Sequence, residues 1–207
     1  SDTFTQLTGS TVYLKNEFEQ KTGSFKLRGA YYKIKTLSDE ERKNGVVAAS
    51  AGNHAQGVAF ASALEKINCT IVMPKNASPA KVAATREYGA TVVLDGKNYD
   101  ESWTKAQEIA KITGATIIHA FDDSQIIAAQ GVIGLEIIEQ LPNVDEIYVP
   151  IGGGGLAAGV LVAIKDKNPN VKVIGVESKS FPSMKNSLNS VKLETIEGGF
   201  TVADCIS

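Results

Sequence analysis

The sequence has few cysteines, and their positions argue against a disulfide framework. Cys69 and Cys205 are the two cysteines among 207 residues, and no CxxC or other metal-type spacing connects them. Small secreted proteins that depend on disulfides carry more cysteines at shorter intervals. We therefore expect two reduced thiols, which fits a cytoplasmic protein.

Long apolar runs and an excess of one charge are also missing. The longest apolar tract, residues 126–138, is interrupted by Gln130, Glu136 and two glycines, so it is too short and too polar to cross a bilayer. Lys and Arg number 21 against 23 Asp and Glu, and the basic residues are scattered. We therefore expect neither a nucleic acid nor a membrane as partner. The first ten residues, SDTFTQLTGS, show no basic segment followed by an apolar one, and we expect no signal peptide.

What the sequence does contain is a regular alternation of strand-like and helix-like segments within an ordinary composition that is 43% hydrophobic. The strand-like segments are rich in β-branched residues and lie at 11–15, 46–50, 69–73, 91–94, 116–120, 146–150 and 171–176. The helix-like segments lie between them, at 26–37, 57–65, 79–88, 100–111, 124–140 and 156–166. This alternation predicts an α/β fold with parallel sheets covered by helices and right-handed crossovers.

The first candidate for chemistry is Lys26, which follows Phe25 and precedes Leu27 at the predicted start of a helix. The positive end of the helix dipole and the apolar neighbours both disfavour the ammonium form, and both lower the pKa of the amine. A lysine amine near neutrality is a nucleophile that can form a Schiff base with an aldehyde. On this residue alone, a lysine that reaches past Phe25 to water is the better interpretation.

The second candidate is the stretch SAGNHAQG, residues 50–57, which follows a predicted strand and opens a helix. Its small residues would let a ligand approach the backbone, and a helix N-terminus attracts an anion such as a carboxylate. Asn53 and Gln56 add amide donors. His54 could act as a base, but a histidine without a neighbouring acid is more often structural. A tight strand–helix turn explains the stretch equally well.

The third candidate is the stretch PIGGGGLAAG, residues 150–159, directly after the strand-like segment 146–150. Four consecutive glycines are rarely needed for a turn, and a glycine loop before a helix can bind a phosphate through its backbone N–H groups. One possible ligand is a dinucleotide, since Gly153, Gly155 and Ala158 match GxGxxA and Glu177 lies 22 residues beyond Gly155. A single phosphate on a pyridine aldehyde would instead use all three candidates at once, and we favour it.

Three stretches, TGSFKLRGA, SAGNHAQG and PIGGGGLAAG, resemble in that order the pyridoxal-phosphate enzymes of the serine/threonine dehydratase family, which includes serine racemases. The stretches KVAATREYGATVVLDGKNYDE and HAFDDSQIIAAQG resemble the same family, so the likeness covers nearly the whole chain. It implies the fold type II (tryptophan synthase β-like) architecture, with pyridoxal 5'-phosphate in the cleft between two α/β domains. The implied small domain is 45–122, and 1–44 and 123–207 are two pieces of an incomplete large domain.

The resemblance also implies roles for individual residues. Lys26 would be the Schiff-base lysine and the base that moves the α-proton, Phe25 would lie against the cofactor ring, and Asn53 would bind the ring 3-hydroxyl. The phosphate would be bound by Gly152, Gly153, Gly154, Gly155 and Leu156. The loop with Ser50, Asn53 and His54 would receive the carboxylate of the amino-acid substrate.

Several departures from the family pattern shape the functional prediction. Racemases of the family carry a serine where this chain has Ala51, which favours elimination over racemisation. A cation site near Glu177 would need an acid where the chain has Ser183, so we expect no metal. The chain ends at Ser207, before the small-residue motif whose Ser or Cys would bind the ring nitrogen.

The resemblance thus implies deamination of L-threonine or L-serine to a 2-keto acid and ammonia, in amino-acid metabolism such as isoleucine biosynthesis, by a homo-oligomer (a dimer or a tetramer). The alternatives are a serine racemase, a catalytically silent fragment and a dinucleotide-binding oxidoreductase.

Overall fold

The computed structural model describes residues 1–196 and 199–206 and consists of helices that alternate with parallel strands. The helices are α1 (Asp2–Thr8), α2 (Lys26–Lys35), α3 (Asp39–Asn44), α4 (Asn53–Leu64), α5 (Pro79–Glu87), α6 (Tyr99–Thr113), α7 (Ser124–Gln140), α8 (Gly155–Lys167) and α9 (Ser183–Ser190). The strands are β1 (Val46–Ala49), β2 (Cys69–Met73), β3 (Thr91–Leu94), β4 (Thr116–Ile117), β5 (Glu146–Pro150) and β6 (Lys172–Val176). Short 3₁₀ helices cover Glu17–Glu19 and Asp204–Ile206. The predicted α/β class with parallel sheets is confirmed.

A four-stranded parallel sheet occupies the part of the chain between residues 46 and 117, in the order β3-β2-β1-β4. All four residues of β1 are buried, as expected for a central parallel strand that is covered on both faces. Helix α4 packs on one face with Val46 and Ala48, and α6 packs on the other with Val47 and Ala49. Ligands of such sheets bind beyond the carboxyl ends of the strands, where Ser50 follows β1.

The second sheet contains β5 and β6 and is covered by α7 and α8. The two helices approach closely at Gly131 and Gly159. A Cβ added to Gly131 would lie 2.9 Å from the carbonyl oxygen of Gly159. The absence of side chains at these two positions therefore allows α7 and α8 to touch through their backbones. Both sheets fall inside the predicted pieces 45–122 and 123–207, and the division into domains stays a prediction.

Two of the predicted strands differ from the structure. Residues 11–15 form no strand, and Tyr13 and Leu14 are exposed. Their strand propensity is not realised because it depends on packing against cross-strand neighbours. The segment 116–120 is a strand at Thr116–Ile117 alone, since Nδ1 of His119 accepts hydrogen bonds from the N–H groups of Phe121 and Asp122 and turns the chain.

Helix α2 is fixed to its surroundings by charged groups close to Lys26. The Arg28 guanidinium binds the carboxylates of Glu17 and Glu136 in two bidentate ion pairs with N–O distances of 2.7–2.9 Å. Such planar double contacts set both the position and the direction of the side chain. They connect the N-terminal segment and α7 to the first turn of α2. Within the described residues, no helix is long and apolar enough to cross a membrane.

Candidate active site

Lys26 is the first residue of α2, as its sequence predicted, and its amine is largely enclosed by protein. Its Nζ donates a hydrogen bond to the carbonyl oxygen of Ala120 at 2.7 Å and lies 5.3 Å from the centre of the Phe25 ring. Burial lowers the pKa of Lys26 to about 8, although the neighbouring Cys205 thiol opposes the shift. The interpretation as an ordinary surface lysine therefore does not describe the structure, because burial favours the neutral form of this amine, which is the form that can react with an aldehyde.

This pKa predicts how the reactivity of Lys26 changes with pH in the cofactor-free protein. Below pH 8 the amine is mostly protonated and unreactive, so the rate of acylation should rise through a midpoint near pH 8. At pH 7 about a tenth of the amine is neutral, roughly 200- to 300-fold more than for an ordinary lysine. The measurement is peptide mapping after brief acetic anhydride treatment across pH 6–11. A midpoint at Lys26 near that of an ordinary lysine would contradict the buried environment.

The segment 50–57 lies against the first turn of α2. The Ser50 hydroxyl accepts a hydrogen bond from the N–H of Gly52 at 3.1 Å, and α4 then begins at Asn53. A Cβ added to Gly57 would lie 3.2 Å from the backbone of Lys26 and Leu27. The last glycine of SAGNHAQG therefore allows α4 to approach the backbone of the lysine, which brings the first two motifs together.

His54 points away from this opening and into the protein. It is 4% exposed, and its Nε2 lies 2.9 Å from the carbonyl oxygen of Ile118. A carbonyl oxygen can only accept, so Nε2 carries the proton of a neutral ring. Burial, with help from the positive charge of Lys26, lowers the pKa of His54 to about 3. The imidazole therefore anchors the chain next to Ala120, and its geometry supports a structural role rather than that of a base.

Other parts of the chain approach each glycine of the loop 152–155 closely, and Phe121 approaches two of them. A Cβ on Gly153 would lie 2.5 Å from three atoms of the Phe121 ring, and one on Gly155 would lie 2.6 Å from the Phe121 carbonyl oxygen. Gly154 has a φ of +85°, a conformation that other residues adopt at a cost of about 1 kcal/mol or more. A Cβ on Gly152 would approach Ile206 to 3.2 Å. The loop is therefore a close-packed turn at the N-terminus of α8, with backbone N–H groups available there.

The segment 199–206 connects the second motif to the glycine loop. Asn53 Nδ2 lies 3.6 Å from Cys205 Sγ, while the following residue, Ile206, lies beside Gly152. The structure thus brings Lys26, Asn53 and the glycine loop to one place. Sequence reasoning missed Ala120, Phe121 and Cys205 as members of this site. The stretch HAFDD was noted as part of the family resemblance, but its sequence contains no pattern that indicates a functional site.

Phe25 and Leu156 are two predicted site residues that share an apolar environment. Both pack against the apolar cluster of β5, α7 and α8, and both line a small cavity of about 150 Å³ next to Tyr148 and Pro150. Contact of Phe25 with a cofactor ring and of Leu156 with a phosphate stay predictions.

Glu177, which the disfavoured dinucleotide alternative would use for a ribose, caps a helix in the structure. Its carboxylate accepts hydrogen bonds from the N–H groups of Met184 at 2.7 Å and Lys185 at 2.9 Å, and so caps the N-terminus of α9. The Glu177 carboxylate is therefore engaged within the protein, whereas a dinucleotide would need it to bind the ribose hydroxyl groups. In the described part of the chain, no three His, Cys, Asp or Glu side chains are placed to hold a metal ion.

These features fit a ligand with an aldehyde and a phosphate. A buried amine with a lowered pKa, an amide side chain on the neighbouring loop and a glycine turn at the start of a helix are the groups that pyridoxal 5'-phosphate requires. Lys26 would hold the aldehyde carbon, Asn53 would bind the ring, and the loop 152–155 would bind the phosphate.

Comparison with known proteins points to the same cofactor. The L-threonine ammonia-lyase of Thermotoga maritima is 55% identical over 207 residues, which are the whole of this chain and 52% of that protein. The structure of the processed form of threonine deaminase isoform 2 from Solanum lycopersicum matches with a TM-score of 0.96 and 42% identity, over 99% of this chain and 56% of that one. Maize serine racemase matches with a TM-score of 0.96 and 36% identity, over 100% of this chain and 63% of that one.

The chain therefore spans between about half and two thirds of the length of these proteins. The structural matches confirm the predicted fold type II architecture. The model of the family described as pyridoxal-phosphate dependent enzyme matches residues 1–206. This match spans all three motifs and nearly the full chain, so the protein belongs to the family of pyridoxal-phosphate dependent enzymes.

Proposed function

We propose that the protein deaminates L-threonine or L-serine to a 2-keto acid and ammonia. The observation that carries this proposal is the buried amine of Lys26, held at 2.7 Å by the carbonyl of Ala120. The next residue, Phe121, contacts the glycine loop, and Gly57 at the end of the second motif contacts the backbone of Lys26. The names of the Thermotoga maritima and Solanum lycopersicum relatives support elimination of ammonia from threonine. The maize relative keeps racemisation as the second candidate.

The proposal assigns a role to each of the candidate residues. The Lys26 amine would hold the aldehyde of the cofactor and, as a free base, would take the proton from the α-carbon of the substrate. The cofactor would supply an electron sink for this reaction when bound. The N-terminus of α4, which begins with Asn53 and His54 and is preceded by Ser50, would bind the substrate carboxylate through backbone N–H groups. Asn53 orients the cofactor ring, and Phe25 keeps water from it.

Cytoplasmic localisation, homo-oligomeric assembly and a place in isoleucine biosynthesis stay predictions. Cytoplasmic localisation is supported by the cysteine content, since Cys69 is buried and neither cysteine forms a disulfide. Assembly is supported by exposed apolar side chains on α7, of which Val132 is 41% and Leu135 42% exposed.

The choice between elimination and racemisation is tested at Ala51. Racemisation needs a proton donor on the face of the carbanion opposite Lys26, and a methyl group cannot supply one. A positioned acid contributes about two to four orders of magnitude to such a step. We therefore expect the native protein to release keto acid from L-serine with little D-serine, and Ala51→Ser to raise the ratio of D-serine to keto acid.

Chiral chromatography of L-serine reactions, with keto-acid release measured in parallel, checks both expectations on this chain and on the full gene product that contains it, here called the parent. Ala63→Ser is a suitable control, because it adds the same hydroxyl at an exposed position near the end of α4. Abundant D-serine from the native protein would contradict elimination as the main reaction. Absence of both products in the parent, under conditions where it retains the cofactor, would contradict the proposed function.

A further inference from the structure

The short segment 119–121 contacts both ends of the candidate site. The carbonyl oxygen of Ala120 accepts the hydrogen bond from Lys26 Nζ at 2.7 Å. The next residue, Phe121, places its ring against Gly153 and its carbonyl oxygen against Gly155. Three consecutive residues therefore connect the amine that would hold the aldehyde with the loop that would hold the phosphate.

The contact between Phe121 and the glycine loop is close enough to define the shape of the loop. A Cβ on Gly153 would lie 2.5 Å from Cγ, Cδ1 and Cδ2 of the ring, which means that it would touch the ring face. On Gly155 a Cβ would lie 3.0 Å from the Phe121 Cβ. The flat side of the ring thus lies directly on the loop backbone. This contact accounts for two of the four glycines without reference to a ligand.

The Phe121 ring is itself held in place by other aromatic rings. His119 meets it edge to face at 4.8 Å between centroids, and Trp103 of α6 meets His119 in the same way at 5.1 Å. Tyr99 stacks on Trp103 at 6.4 Å. Nδ1 of His119 also accepts hydrogen bonds from the N–H groups of Phe121 and Asp122, which fixes the turn of the chain at residues 119–122. The ring is therefore a rigid support for the loop, since aromatic contacts of this kind are directional.

We propose that Phe121 is a positioning residue for the phosphate: its ring supports the glycine loop and fixes the direction of the N–H groups at the start of α8. This inference rests on the proposed function for the identity of the ligand, although its effect on the loop itself does not. Phe121 acts through Gly153 and Gly155, so its removal should affect the phosphate end of the ligand much more than the aldehyde end.

The first test measures the affinities of Phe121→Leu and of the native chain for two ligands, pyridoxal 5'-phosphate and pyridoxal. Misdirected N–H donors to a phosphate weaken charge-assisted hydrogen bonds, so the affinity for pyridoxal 5'-phosphate should fall about tenfold or more. The affinity for pyridoxal, which lacks the phosphate, should change by less than about twofold. Phe60→Leu is the matched control, because Phe60 is also half-buried and packs edge to face on Tyr88. Equal losses for both ligands would overturn the proposal.

The second test compares the effect of Gly153→Ala in the native chain with its effect in Phe121→Leu. Gly153→Ala should weaken retention of pyridoxal 5'-phosphate because its Cβ forces the ring and the loop apart. In the Phe121→Leu background the same substitution should have a much smaller additional effect, since the shorter side chain can yield. Equal effects of Gly153→Ala in both backgrounds would mean that the glycine is needed by the ligand alone, and the proposal would fail.

A third measurement needs no cofactor and so separates this inference from the proposed function. Amide hydrogen exchange of residues 153–155 in the cofactor-free chain should accelerate about tenfold or more in Phe121→Leu, relative to the amides of β1. Phe121→Met, which preserves most of the volume, replaces Phe121→Leu if the latter does not fold. Unchanged exchange in the loop would refute the support by Phe121 whether or not the chain binds pyridoxal 5'-phosphate. Failure of the native chain and its parent to bind it, with exchange as expected, would refute the proposed function alone.

Discussion

Lys26→Ala should leave a folded protein that neither attaches pyridoxal 5'-phosphate covalently nor turns over amino acids. Under the proposed function, the side chain that is removed would supply both the nucleophile for the cofactor and the base for the α-proton, so turnover should fall by at least about a thousandfold. Its loss leaves the Ala120 carbonyl without its lysine partner, which we expect to lower stability modestly, by about 1 kcal/mol. Absorbance of the purified protein above 400 nm reports attachment, and thermal unfolding reports the fold.

A second lysine on the same helix provides the control for this result. Lys35 is near the end of α2, and its side chain is 58% exposed in an ion pair with Glu65. Lys35→Ala should retain both the absorbance and the turnover of the native protein. Borohydride reduction and peptide mapping of the native protein should place the cofactor on Lys26. A cofactor found on another lysine would overturn the assignment of the whole site.

Gly159→Val should destabilise the protein strongly, although Gly159 is not a residue of the candidate active site. A Cβ at this position would overlap the carbonyl oxygen of Ile127 and lie 2.7 Å from the backbone nitrogen of Gly131. Both neighbours are backbone atoms of α7, so a change of rotamer cannot relieve the contact. Overpacking of this kind lowers the free energy of unfolding by about 1–3 kcal/mol or more. We expect the upper part of this range or loss of the folded state, measured by denaturant unfolding.

Val162→Leu is the matched control for enlargement of a side chain on α8. Val162 is 69% exposed, so an added methylene group meets solvent and the free energy of unfolding should change by less than about 0.5 kcal/mol. Gly159→Ala should fall between the two, because its single methyl group still meets the backbone of α7. If Gly159→Val is as stable as Val162→Leu, then the close backbone contact between α7 and α8 does not exist.

The parts of the fold that the sequence predicted well are those whose stability depends on local pattern. Helix α7 occupies 124–140 as predicted, because Asp123 caps its start and a long apolar pattern follows. Residues 11–15 show the opposite case. Their composition is typical of a strand, but a strand needs a neighbour, and the identity of that neighbour cannot be read from five residues.

The features of the candidate site that could be predicted are likewise those that depend on residues adjacent in the sequence. Lys26 and the glycine loop were recognisable because their unusual residues stand next to each other in the chain. The direction of the His54 side chain was not predictable, since it depends on the carbonyl of Ile118, 64 residues away. The glycine loop was predicted as a place where a ligand approaches the backbone, but Phe121 approaches it in the same way. A glycine in a sequence indicates that space is needed, and it does not indicate what fills that space.

The partner of the Lys26 amine is a peptide carbonyl, and this has a consequence for how the site can change during evolution. Every amino acid at position 120 brings the same oxygen, so substitutions of Ala120 that preserve the chain path should leave the hydrogen bond intact. What the amine depends on is the route of the backbone, which His54 and His119 hold on either side. We therefore expect substitutions of the two histidines to disturb this hydrogen bond, and substitutions at position 120 to be tolerated.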